Sequence, residues 1–128
     1  MKERDEGRDG LIRAGFIGLG TMGAPMAGRI MAAGYPLTVW ARRAEATASL
    51  IARGAEGATS VADLGAECDY VGLCVLDDAA VAAISDELVP AMRPGSLLAI
   101  HSTILPESCE ALERRCAERG VLFVDAPV

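Results

Sequence analysis

The sequence predicts a parallel, doubly wound α/β sheet, and three observations predict it. Short apolar runs alternate with helix-period patterns along the 128-residue chain. That alternation is what right-handed crossovers between parallel strands require. A glycine turn, Gly18-Leu19-Gly20-Thr21-Met22-Gly23, joins the first apolar run to the first helical pattern. Residues 70–76 are nearly continuously apolar, as suits a strand buried on both faces.

Taken in order, residues 13–18 form the first strand. Met22, Met26 and Ile30 recur at helical spacing, so residues 22–33 form an amphipathic helix that Gly34 ends. Gly28 lies inside that helix at a cost of about 1 kcal/mol relative to alanine, and close packing against the sheet is its expected compensation. Leu37–Trp40, entered from Pro36, is the second strand. Residues 44–53 form a second helix stopped by Gly54, followed by a short strand over 55–58 and a brief helix over 61–66. Residues 70–76 are the fourth strand. Val81, Ile84 and Leu88 mark the next helix, and Pro90 and Pro94-Gly95 punctuate a loop. Leu97–Ile100 is another buried strand. Pro106 opens a helix as a first-turn proline, which runs to Arg119 and stops at Gly120. Residues 121–124 form the last strand.

These elements assemble into one three-layer domain over residues 13–128. Residues 2–9 are almost all charged, so residues 1–12 are expected to be a solvated, poorly ordered tail.

Bulk properties exclude several classes of function. The formal net charge of -6 and an isoelectric point near 4.7 lack the basic face that nucleic acid needs. No apolar stretch stands where a secretory signal would, and the apolar runs are too short for a membrane span. Cysteines 68, 74, 109 and 116 show no CxxC spacing, and His101 is the only histidine, so no metal site is expected. Cys109, Leu112 and Cys116 share one helical stripe and read as small core residues. Reduced thiols and a cytoplasmic location follow.

The glycine turn carries the chemistry. Gly18 allows the tight turn out of the strand, Gly20 lets the backbone approach a pyrophosphate, and Gly23 lets helix and strand pack closely. The diphosphate then sits at a helix N-terminus, where free N–H groups and the helix dipole favour negative charge. Glycines kept only for backbone geometry would need no following helix. The strand–turn–helix context therefore makes this a Rossmann-type dinucleotide site.

An enzyme preferring NAD carries an acid about 20 residues further on, for the ribose hydroxyls. Here that place reads Trp40-Ala41-Arg42-Arg43 and holds no carboxylate. A guanidinium forks onto phosphate oxygens and stacks on a purine. Two cations at a helix start are otherwise slightly unfavourable. Arg42 and Arg43 therefore favour NADP over NAD.

With those residues in place, the chain resembles a known family. Residues 15–27, Gly-Phe-Ile-Gly-Leu-Gly-Thr-Met-Gly-Ala-Pro-Met-Ala, resemble the N-terminal fingerprint of the β-hydroxyacid dehydrogenases. Ser102-Thr103-Ile104-Leu105-Pro106 resembles the Ser-Ser/Thr-x-x-Pro segment of that family. Phe123-Val124-Asp125-Ala126-Pro127-Val128 resembles the strand that leads to its substrate loop. The three motifs are collinear over residues 13–128.

The resemblance implies that Gly18, Leu19, Gly20, Thr21, Met22 and Gly23 contact the coenzyme through the first turn. It implies that Arg42 meets the 2′-phosphate, that Val75 and Leu76 run past the coenzyme ribose, and that Thr103 lies near the nicotinamide ribose. A helix cap is the alternative role for Thr103. The parent reaction it implies is reversible oxidation of a small β-hydroxyacid to its semialdehyde.

Departures matter too. Ala41 and Arg43 replace the Asn and the Thr or Ser of the family signature, Leu76 stands where many members have Pro, and Ile100 replaces a common Asp. His101 reads as structural rather than as the catalytic base. The family's Ser-Gly-Gly loop and its acid/base lysine lie past the last strand, so the chain alone is expected to bind coenzyme weakly and turn nothing over, and no catalytic residue is assigned. A hydroxyacid partner is expected only for a full-length parent, and homo-oligomerisation stays open. Two other readings are a stand-alone nucleotide-binding module and the first domain of an imine reductase; Asp125-Ala126-Pro127-Val128 favours the hydroxyacid group over the second.

Overall fold

A computed structural model describes residues 10–128. Of the tail expected at residues 1–12, residues 1–9 lie outside the described part. Six strands form one sheet: β1 (Ala14–Ile17), β2 (Leu37–Trp40), β3 (Glu56–Gly57), β4 (Tyr70–Leu73), β5 (Leu97–Ile100) and β6 (Leu122–Asp125). Their order is β3-β2-β1-β4-β5-β6, and every pairing is parallel. The chain moves outward from β1 to one edge and then restarts at β4 beside it. Strand order thus reverses between β1 and β4, which opens a crevice at their carboxyl ends.

Five helices complete the layers: α1 (Gly23–Ala32), α2 (Ala48–Ala52), α3 (Val61–Glu67), α4 (Asp78–Leu88) and α5 (Pro106–Arg119). Alternate residues of the strands feed two cores. Ile17, Val71, Leu73, Leu98 and Ile100 pack under α3, α4 and α5. Ala14, Phe16, Leu37 and Val39 pack under Ala27 of α1 and Leu50. Cys116 and Leu112 are buried as the stripe predicts, while Cys109 is only half-buried.

Several boundaries differ from the expected ones, each for a local reason. The fourth strand ends at Leu73, not at residue 76. Beyond it the Val75 amide donates to Ser102 Oγ at 2.8 Å, and that hydroxyl donates to the Val75 carbonyl at 2.7 Å. A side chain thus takes the backbone groups that a strand partner would need. The helix expected over 44–53 is a 3-10 turn (Ala44–Thr47) followed by the short α2. Thr47 Oγ1 donates to the Ala44 carbonyl at 2.7 Å, an alternative to the α-helical ladder that hydroxyl side chains offer. The strand expected over 55–58 keeps two residues. Gly28 does not serve close packing on the sheet: a Cβ there would meet only the Arg53 guanidinium, at ordinary contact distance.

Candidate coenzyme site

The turn between β1 and α1 is built by its glycines. Gly18 has φ +96°, a left-handed conformation, and a Cβ there would stand 2.1 Å from the Cys74 carbonyl oxygen. A Cβ on Gly23 would stand 1.9 Å from the Gly18 carbonyl oxygen, so only glycine lets α1 start this close to β1. Gly20 is different. A Cβ there would meet nothing within 4 Å, so neither strain nor packing within the protein requires its glycine. The open space over Gly20 is where a ligand backbone approach would be blocked by a side chain.

The end of α1 is left chemically open. Its N-cap, Met22, makes no side-chain cap, and the first turn holds no acid. Among the described residues, the amides of Leu19, Gly20, Thr21 and Met22 donate to no protein acceptor. Four N–H groups at the positive end of a helix dipole form an anion cradle.

All eleven residues expected at the coenzyme site line one groove of about 640 Å³ across the carboxyl rim of the sheet. Gly18 to Gly23 form its floor, Arg42 and Arg43 come from the end of β2, Val75 and Leu76 from the end of β4, and Thr103 from the end of β5. Both arginines are exposed, and neither makes an ion pair among the described residues. Thr103 is exposed and is no helix cap, since the cap of α5 is Leu105.

A second cavity of about 400 Å³ opens beside the groove and shares Gly18, Arg42, Val75 and Leu76 with it. Trp40, Asp77 and, from α4, Ala79, Ala80 and Ala83 line it as well. Sequence reading passed over these residues. The usable signal was Asp77, which caps α4 by accepting from the Ala80 amide at 2.9 Å and so stands on the same rim.

At the far end of the groove, His101 is held on both ring nitrogens. Nδ1 lies 2.9 Å from the Ala126 carbonyl, and Nε2 lies 3.1 Å from the Tyr70 hydroxyl. A carbonyl only accepts, so Nδ1 carries a proton, and in the neutral ring Nε2 accepts from Tyr70. The ring also stacks on Phe16, with centroids 6.0 Å apart and planes 6° apart. Burial raises the Tyr70 pKa, keeping the phenol protonated as that bond needs. His101 is thus a structural histidine that ties β1, β4 and the segment after β6 together beside the groove. Cys74, also at the groove, has its thiol pKa raised by burial, which leaves it a poor nucleophile.

The residues present fit a bound dinucleotide: an anion cradle, an open glycine, two unpaired guanidiniums and a flat apolar recess share one rim. Comparison with known proteins agrees. Residues 13–128 match the family described as the NAD binding domain of 6-phosphogluconate dehydrogenase. The chain is 38% identical to the NAD-dependent L-serine dehydrogenase of Pseudomonas aeruginosa, over 88% of this chain and 39% of that protein. It superposes on the 3-hydroxyisobutyrate dehydrogenase of Mycobacterium tuberculosis, solved with L-serine, with a TM-score of 0.87 and 28% identity, covering 92% of this chain and 40% of that one. It superposes on the imine reductase of Myxococcus stipitatus, solved with NADP+, with a TM-score of 0.81 and 27% identity, covering 88% and 39%. The chain spans about 40% of the length of the curated relatives it matches. It belongs to the β-hydroxyacid dehydrogenase family of oxidoreductases, of which it carries the NAD-binding domain.

Proposed function

We propose that residues 13–128 bind NADP(H) in preference to NAD(H). The diphosphate rests on the amides of Leu19, Gly20, Thr21 and Met22, with Gly18 and Gly23 shaping the turn. Arg42, and behind it Arg43, meet the 2′-phosphate. Val75 and Leu76 flank the ribose, and Thr103 stands at the nicotinamide ribose. The observation that carries this reading is the set of unsatisfied amides over an unobstructed Gly20, facing two unpaired guanidiniums across one groove. Arg42 is the stronger phosphate candidate because it borders both the groove and its side recess.

In a longer protein of the family type, the domain would present the nicotinamide to a small β-hydroxyacid for hydride transfer to or from its semialdehyde. The coenzyme supplies the hydride chemistry when bound; this domain binds and orients it. Four free thiols support a reducing, cytoplasmic setting. Titration with NADPH and NADH tests the proposal. NADPH should bind about 10- to 100-fold more tightly, the range of one forked charge-assisted contact. Equal affinity removes the preference, and failure of both to bind removes the site.

A further inference from the structure

We propose that Asp77 reads the purine of the coenzyme, accepting a hydrogen bond from the exocyclic amine of adenine and discriminating against a base that presents an oxygen there. The proposal rests on the coenzyme reading above. The recess of about 400 Å³ adjoins the groove through Arg42 and Leu76, within reach of the adenosine end of a dinucleotide whose 2′-phosphate meets Arg42. Its lining suits a flat ring. Ala79 and Ala83, one helical turn apart on α4, offer small apolar side chains, and Leu76 is 90% exposed at its mouth. Arg42 lines it from the β2 side, where a guanidinium stacks on a purine face.

Only two of the side chains that line this recess are charged, Arg42 and Asp77. The Asp77 carboxylate is held at the start of α4 by the bond from the Ala80 amide to Oδ1. Among the described residues, no donor reaches its other oxygen. A fixed carboxylate oxygen at the edge of an apolar slot accepts from an N–H and repels a carbonyl oxygen. Adenine presents an amine at its six-position, and hypoxanthine presents an oxygen.

Trp40, the only tryptophan in the chain, lines the recess, so its fluorescence reports occupancy. The test is titration of the 128-residue chain with NADPH and with its hypoxanthine analogue. NADPH should bind about tenfold more tightly, as one charge-assisted hydrogen bond at an exposed rim allows. Asp77→Asn keeps the helix cap through its amide oxygen, which leaves an N–H donor where the free carboxylate oxygen stood. In that variant the ratio should fall to one or below. A ratio near one in the unaltered chain, or an unchanged ratio in Asp77→Asn, overturns the assignment while leaving the groove reading intact. So does an Asp77→Asn variant that alters the NADPH to NADH ratio instead, which would place the carboxylate at the ribose. Absence of saturable binding by either compound overturns both readings.

Discussion

The two ends of the sheet treat their polar groups in opposite ways. At the amino end, Asp69 accepts from the Arg13 amide at 2.9 Å and from Arg93 at 3.0 Å, while Arg93 also donates to the Ala66 carbonyl at the end of α3. Ser96 Oγ donates to the Arg93 carbonyl, and Arg119 to the Met92 carbonyl. Most of the charges and helix ends there are satisfied by the protein itself, although the buried Arg93 Nε has no partner. At the carboxyl end, four amides and two guanidiniums have no such partners among the described residues. The closed end holds the fold together, and the open end, where Gly20, Thr21, Met22, Arg42 and Arg43 are exposed, is where we propose that the coenzyme binds. The contrast separates stability from binding within one small domain.

Mutations at the two ends should therefore split cleanly. The largest effects are expected at the glycine turn. Gly23→Ala drives a Cβ into the Gly18 carbonyl; it should cost about 3 kcal/mol of stability and abolish measurable coenzyme binding. Gly20→Ala faces open space. It should leave the thermal midpoint unchanged and weaken coenzyme binding about 10- to 100-fold, the loss of one or two strong hydrogen bonds. Thermal unfolding beside a coenzyme titration separates the two, and a Gly20→Ala variant that binds normally would break the contrast.

Next in size is Arg42→Ala. NADPH affinity should fall about 10- to 30-fold and NADH affinity by less, since NADH loses only the stacking of the guanidinium on the purine while NADPH loses the phosphate contact as well. At the closed end, Asp69→Ala leaves the Arg13 amide without its acceptor and takes from Arg93 its carboxylate partner, leaving it only backbone carbonyls. It should lower stability by about 1–2 kcal/mol with the coenzyme dissociation constant unchanged, as read by chemical denaturation and titration.

The smallest effect sits on the carboxyl rim itself, at the start of α4. Asp78 accepts from the Leu105 amide at 3.0 Å and from Ser108 Oγ at 2.7 Å, joining α4 to the start of α5. The bond from the Leu105 amide, followed by that from Ser108, holds its carboxyl below its usual value of 3.8. A depressed carboxyl stabilises the fold above its unfolded pKa, and that contribution disappears as pH falls through the lower folded value. Stability should therefore drop on acidification below about pH 4, and Asp78→Asn should flatten that part of the curve. Unfolding midpoints across pH 2–6 would show it.

Much of this was legible in the sequence because the signals were local. The glycine turn, the apolar runs and the proline and glycine stops each act within a few residues, so every strand and every helix was expected near its observed place. The end of β4 was not legible. Cys74, Val75 and Leu76 are as apolar as the strand before them, and only Ser102, distant in sequence, lifts them away from it. The side recess was missed for a related reason: Trp40, Asp77 and Ala83 each look ordinary until the crossover brings β2 and α4 to one crevice. Gly28 shows the reverse error, a glycine credited with sheet packing that faces Arg53 instead. His101 was read as structural from its position alone. The Tyr70 and Ala126 bonds supply the reason, and no sequence period encodes them.

We propose that the open amides of residues 19–22 receive the coenzyme diphosphate. Amide nitrogen and proton shifts followed during an NADPH titration test it most directly. Leu19, Gly20, Thr21 and Met22 should move together and saturate, with Arg13 and Asp69 unmoved. Saturation that displaces the amino-end residues while the glycine turn stays still would contradict it.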